Sequence, residues 1–78
     1  MKLFVVIAVD FSDTSDHKGY ILATFKDYDA ALGYVREDME AFQMEADRIL
    51  NVNYDKMCVW NDDYTYGCEW NIDEIELN

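Results

Sequence analysis

The chain has 78 residues and a mass of 9.2 kDa, the size of one domain at most. Six Lys and Arg stand against 17 Asp and Glu, for a formal net charge of −11. That charge works against direct binding to nucleic acid, whose phosphates would be repelled, and against basic attachment to anionic lipid. Yet 51% of the residues are hydrophobic and 15% aromatic, so this is a folded acidic domain and not a disordered acidic tail.

Taken in chain order, Lys2–Asp10 predicts a strand. Leu3, Val5, Ile7 and Val9 alternate with Phe4, Val6 and Ala8, so both of its faces are apolar, as in a central strand covered on both sides. Phe11–Gly19 is polar and turn-rich, a loop. Gly19–Phe25, with its aromatic and β-branched residues, predicts a second strand.

Asp27 has the character of a helix N-cap, and Asp29 sits favourably in the first turn. From there to Leu50 the apolar period is helical. Tyr28, Ala31, Leu32, Val35, Met39, Phe42, Ala46, Ile49 and Leu50 share one face of a helix about 36 Å long, at ~1.5 Å per residue. Asn51 and Asn53 punctuate its end. Tyr54–Asn61 predicts a third strand, Asn61-Asp62-Asp63 a turn, and Gly67–Leu77 a fourth strand. In that last strand the apolar phase slips between Ile72 and Ile75, which predicts a bulge near Asp73 or the end of the sheet. The expected fold is a single α+β domain over residues 1–78: a four-stranded antiparallel sheet with one long amphipathic helix on one face. Its core is expected to hold Val5, Ile7, Ile21, Leu32, Val35, Met39, Phe42, Val59 and Trp70.

The chemistry-bearing residues do not converge on a reaction. Asp10, Asp13 and Asp16 recur every three residues, unlike calcium ligands. An EF-hand frame started at Asp62 puts Tyr64 and Tyr66 where carboxylates are needed. Cys58, Cys68 and a single His make a poor zinc set, and the two thiols are expected to be reduced, with room to face each other across a hairpin. His17 lies in a polar loop with no recognisable triad order, and three dispersed glycines build no phosphate-cradling loop. The expectation is a protein with no enzymatic activity, cofactor or metal. No targeting segment is visible and Leu3–Val9 is too short to span a bilayer, so a cytoplasmic location is expected.

The surface carries more information. Trp60, Tyr64, Tyr66 and Trp70 cluster around the last hairpin among Asp62, Asp63 and Glu69, and Trp and Tyr are favoured interface anchors. On the helix, Asp29, Glu40 and Asp47 fall within roughly 20° of one another on the wheel at ~3.6 residues per turn, and Glu37 stands on the outer face. Ordinary solvated helices mix charge signs for i,i+4 pairing; this one hardly does. Rows of carboxylates on a rigid scaffold imitate the array of duplex DNA, one negative charge per about 1.7 Å of axis. The candidate partner-binding residues are therefore Asp29, Glu37, Glu40 and Asp47 on the helix, and Asp13, Asp16, Asp62, Asp63, Tyr64 and Tyr66 in the loops.

A small acidic domain of this element order resembles the proteins encoded by phages and mobile elements, anti-CRISPR proteins above all. The opening segment also looks like a start seen in small phage proteins: an aspartate-rich turn (Asp10–Asp16), then Gly19-Tyr20, then Asp29-Ala30-Ala31 in an aspartate-capped helix. The resemblance implies a non-catalytic inhibitor in the cytoplasm of an infected bacterial host. Its partner would be the basic nucleic-acid-binding surface of a CRISPR effector or another nucleic-acid-binding protein, with no direct contact to nucleic acid or membrane. The competing reading is a small structural or regulatory phage protein acting through a protein–protein interface, a homodimer joined through the aromatic hairpin being one form of it.

Overall fold

The computed structural model describes residues 1–11, 17–46 and 48–77. Six elements follow in order: β1 (Lys2–Phe11), β2 (His17–Phe25), α1 (Tyr28–Glu45), β3 (Asn51–Asn53), β4 (Cys58–Trp60) and β5 (Gly67–Glu76). All neighbouring strands are antiparallel and form one five-stranded sheet in the order β2-β1-β5-β4-β3. The fold is α+β, as expected, with five strands in place of four.

The extra strand comes from a segment with two misleading neighbours. Asn51–Asn53 reads as helix punctuation, yet it pairs with Cys58–Trp60 as β3. Tyr54–Met57, read as the start of a strand, is the turn between them. Asn53 Oδ1 accepts from Lys56 N at 3.0 Å, and Met57 takes the left-handed conformation at φ 53°. An Asn side chain that bonds the backbone competes with the strand ladder and holds the turn.

The helix is shorter than its apolar pattern suggests. Asp27 is the N-cap, its side chain accepting from Asp29 N at 3.3 Å, but α1 ends at Glu45, with Ala46 already extended. Its last turn holds no basic residue, and a carboxylate there opposes the negative end of the helix dipole. Ile49, placed on the core face by periodicity, is 93% exposed.

β1 is central, between β2 and β5, and its two faces differ in fate. Val6 and Ala8 pack with Ala31, Val35 and Met39 of α1 and with Val59, Cys68 and Trp70 of the sheet. Phe4 joins this side through Tyr28, their rings 5.6 Å apart. The alternate set, Leu3, Val5, Ile7, Val9 and Phe11, therefore lies on the face away from α1. Of the expected core, Val35, Met39, Val59 and Trp70 are buried on the helix side, and Leu32 and Phe42 are half-buried. Val5 is buried on the opposite face, Ile7 is half-buried there, and Ile21 is 72% exposed. A one-residue shift of phase accounts for the error, since it moves a whole strand's set to the other face.

Neither the bulge expected near Asp73 nor an end of the sheet there is found. β5 pairs with β1 without interruption from Phe11↔Gly67 to Lys2↔Glu76, and the register shift falls instead between β1 and β2, at Val6/Ile7. The apolar slip in β5 reflects a change of face. Ile72 packs toward the helix-side core, whereas Ile75 stands beside Leu3 on the open face.

Candidate acidic interaction surface

The outer side of α1 follows from its packing. With Ala31, Val35 and Met39 turned to the sheet, Asp29, Glu37 and Glu40 fall on the exposed remainder of the cylinder. Within Tyr28–Glu45 five carboxylates stand against one cation, Arg36. Asp47, the third member of the expected row, lies outside the described residues, as do Asp13 and Asp16.

The hairpin residues divide between two sides of the sheet. Asn61 organises the turn: its Oδ1 accepts from Thr65 N at 2.9 Å and Tyr66 N at 3.0 Å, and its Nδ2 donates to Thr65 Oγ1 at 2.9 Å. Asp62 and Asp63 are exposed at the tip, and Asp62 Oδ1 accepts from Asn51 Nδ2 at 2.7 Å. Tyr64, in the left-handed conformation at φ 57°, is 74% exposed, with its ring 5.9 Å from that of Trp60. Trp60 in turn meets Phe11 at 4.8 Å. These two rings come together across β5 because Gly67 lies between them in register, Phe11↔Gly67 and Gly67↔Trp60. A Cβ on Gly67 would run into the Val59 carbonyl oxygen and come within 2.8 Å of the Trp60 ring.

Tyr66 belongs to the helix side. It is half-buried, stacked on Phe42 at 5.6 Å, with the Arg48 guanidinium carbon 4.3 Å from its ring centre. Of the two expected contact tyrosines, only Tyr64 therefore offers a largely open ring.

A second acidic feature escaped the sequence reading. Asp10, Asp38 and Glu45 line one cleft of about 310 Å³ between α1 and the sheet, walled by Tyr20, Phe42 and Trp70. Trp70 Nε1 donates to Asp38 Oδ2 at 2.8 Å. Burial pushes the Cys68 thiol well above its ordinary value. Its hydrogen bond to Asp10 and the charges of Asp10, Asp38 and Glu69 act in the same direction. A signal for the cleft was present in the spacing. Asp10 continues the Val6, Ala8 alternation on the helix side, and Asp38 lies three residues after Val35 and four before Phe42.

Cys58 and Cys68 do not face each other. Cys58 pairs with Glu69 and Val59 with Cys68, so adjacent register positions send the two thiols to opposite faces, and both are free. Burial, then Glu69, raises the Cys58 thiol, with Lys56 acting against them. Among the described residues there is no group of three or more His, Cys, Asp or Glu side chains able to hold a metal ion, and no helix long and apolar enough to cross a membrane. Set against protein-family models, curated proteins and solved structures, the chain matches none.

Proposed function

We propose that the chain is a non-catalytic, anti-CRISPR-like inhibitor that binds the basic nucleic-acid-binding surface of a bacterial defence effector and blocks DNA binding by acidic mimicry. The observation that carries this reading is the outer side of α1, where Asp29, Glu37 and Glu40 stand exposed on a helix with a single cation. Asp29 and Glu40 are ~16 Å apart along the axis at ~1.5 Å per residue, a span over which duplex DNA presents several phosphates. Arg and Lys side chains that hold phosphates accept carboxylates through the same donors. Asp62, Asp63 and Tyr64 extend the surface at the hairpin tip, and Asp13, Asp16 and Asp47 remain part of the proposal by sequence alone.

The test is competition. With a candidate effector and its DNA, the chain should lower DNA binding, with an on-rate that falls as salt rises. The triple variant Asp29→Lys, Glu37→Lys, Glu40→Lys should lose that effect while keeping its circular-dichroism spectrum. Full inhibition by the charge-reversed variant would make the acids a solubility device.

The second reading, a structural or regulatory phage protein acting through a protein–protein interface, is favoured by a different observation: on the side of the sheet that α1 does not cover, Ile21 is 72% exposed beside the half-buried Ile7 and Val9 of β1. A virion-morphogenesis gene neighbourhood would support it, and a defence or anti-defence neighbourhood would support the inhibitor.

A further inference from the structure

β3 and β4 divide their side chains between the two sides of the sheet. Val52 and Val59 pair and face the helix-side core, so Asn51, Asn53, Cys58 and Trp60 stand on the other side. There they floor a trough of about 350 Å³, closed by Lys56 at one end and by Tyr64 at the other. That volume lies at the lower end of small-ligand sites, ~300–1,000 Å³. The turns at the two ends share an uncommon backbone. Among the described residues other than glycine, only Met57 (φ 53°) in the first turn and Tyr64 (φ 57°) in the second take the left-handed conformation. A bulky side chain is disfavoured there, and such outliers gather at ligand clamps. Tyr64 is 74% exposed, so packing against the rest of the fold does little to offset its conformation. Its ring instead forms an angled aromatic wall with that of Trp60, 5.9 Å away and inclined at 51°.

We propose that this trough binds a neutral saccharide, with a sugar ring packed on Trp60 and Tyr64. The charges around it select the class. Lys56 is the one charge in the lining and opposes a cation. Asp62, bonded to Asn51, and Glu69, in register beside Cys58, oppose an anion in a chain of net charge −11. A purely apolar molecule would strip water from the amides of Asn51 and Asn53 and give nothing in return. The polar groups are mixed. Asn53 Oδ1 is taken by Lys56 N at 3.0 Å, which leaves its two side-chain N–H donors. Asn51 spends one N–H on Asp62 at 2.7 Å and keeps its carbonyl oxygen as an acceptor. Hydroxyls donate and accept, so a polyol satisfies both kinds. The C–H face of a pyranose is slightly positive and packs on the negative face of an aromatic ring. A planar base would need a parallel slot, whereas these two rings are inclined and Phe11 already lies against Trp60 at 4.8 Å. The acids of α1 take no part, so the proposal stands apart from the inhibitor reading.

The experiment is an amide and indole NMR titration of the intact, nitrogen-labelled chain. The probes are cellobiose, lactose, mannobiose and diacetylchitobiose, with adenosine and inorganic phosphate beside them. At least one disaccharide should shift the Trp60 indole and the Asn51 and Asn53 side-chain amides saturably, leaving the Trp70 indole in place. Tyr64→Gly should weaken that binding at least ~10-fold and at the same time raise the melting temperature, because glycine relieves the left-handed backbone. The opposite signs separate a lost contact from a lost fold. Glu37→Lys, on the outer side of α1, should leave saccharide binding unchanged. If no disaccharide moves the Trp60 indole, the proposal is overturned. Saturation by adenosine or phosphate with the sugars inert overturns it by assigning the trough to a base or an anion. Saccharide binding indifferent to Tyr64→Gly overturns it by placing the contact elsewhere.

Discussion

Trp70 donates its indole N–H to Asp38 Oδ2 at 2.8 Å, fastening the central part of the sheet to α1 through a carboxylate on the sheet-facing side of the helix. The indole is buried, so its polar atom needs a partner, and the charge on Asp38 makes the bond a strong one. Trp70→Phe keeps most of the apolar volume and removes the donor. The expected cost is about 1.5–3 kcal/mol by urea denaturation, the range for a hydrogen bond to a charged group. Asp38→Ala should cost a similar amount by orphaning the buried N–H, and the double variant should cost less than the two added together.

Gly67 is required by what crosses over it. Gly67→Ala should lower stability by more than the ~1 kcal/mol by which Ala exceeds Gly in conformational preference, because Val59 O and the Trp60 ring occupy the space. Tryptophan fluorescence should shift as Trp60 is pushed from Phe11. An unchanged melting temperature and spectrum would contradict this placement.

Asn61 holds the last hairpin through its side-chain amide. Asn61→Ala leaves the Thr65 and Tyr66 amides without that acceptor and should cost about 1–3 kcal/mol. Asn61→Asp retains the accepting oxygen and should recover part of the loss, less the repulsion from the adjacent Asp62 and Asp63. Thermal denaturation of the pair separates acceptor loss from charge.

The two thiols should differ in reach. Under native conditions an alkylating reagent should modify Cys58, which is half-buried, before Cys68, which should react at the rate of unfolding. Mild oxidation should produce no intramolecular disulfide. Because the folded chain holds the Cys68 proton above the ordinary thiol value of 9.0, the unfolded chain releases it first as pH rises. Stability from this group is therefore intact below about pH 9 and is lost progressively above it. Cys68→Ala should flatten that alkaline decline when urea midpoints are compared at pH 8 and pH 10.

Phe42 links α1 to β5 and to the turn before it: its ring meets Trp70 at 5.9 Å and Tyr66 at 5.6 Å. It is half-buried, so Phe42→Ala should cost about 2–3 kcal/mol, below the range for a fully enclosed ring. A change under ~1 kcal/mol in chemical denaturation would place the helix in a different rotation.

Local signals were legible where backbone chemistry decides structure. Asp27 marked the start of α1, the alternation of β1 marked a central strand, and Asn61-Asp62-Asp63 marked a turn. Three features depended on tertiary context. β3 is three residues long, too short for a period, and exists because β4 offers it a ladder. The choice between the two apolar faces of β1 is made by where α1 docks, and nothing in an apolar-apolar strand records it. The cleft of Asp10, Asp38 and Glu45 joins residues from distant elements: spacing puts Asp10 in phase with Val6 and Ala8 and Asp38 in phase with Val35 and Phe42, but that these two faces meet follows from where α1 docks. The exposed acids of α1 were readable from the wheel, whereas the division of Tyr64 and Tyr66 between two sides follows from the turn at Asn61.

The pairing of β1 with β5 has a consequence for how the molecule is assembled in time. The earliest and latest strands of the six elements are neighbours in the middle of the sheet, and the backbones of Met1 and Leu77 close the pair, Leu77 N meeting Met1 O at 2.7 Å. As a nascent chain emerges, β1 and β2 can form their hairpin and α1 can lie against it, but the sheet has no centre until β5 arrives. Closure over such a sequence distance is slow relative to local hairpins. Loss of β5 would thus open a seam through the interior of the sheet, where loss of an edge strand such as β3 frays only its margin.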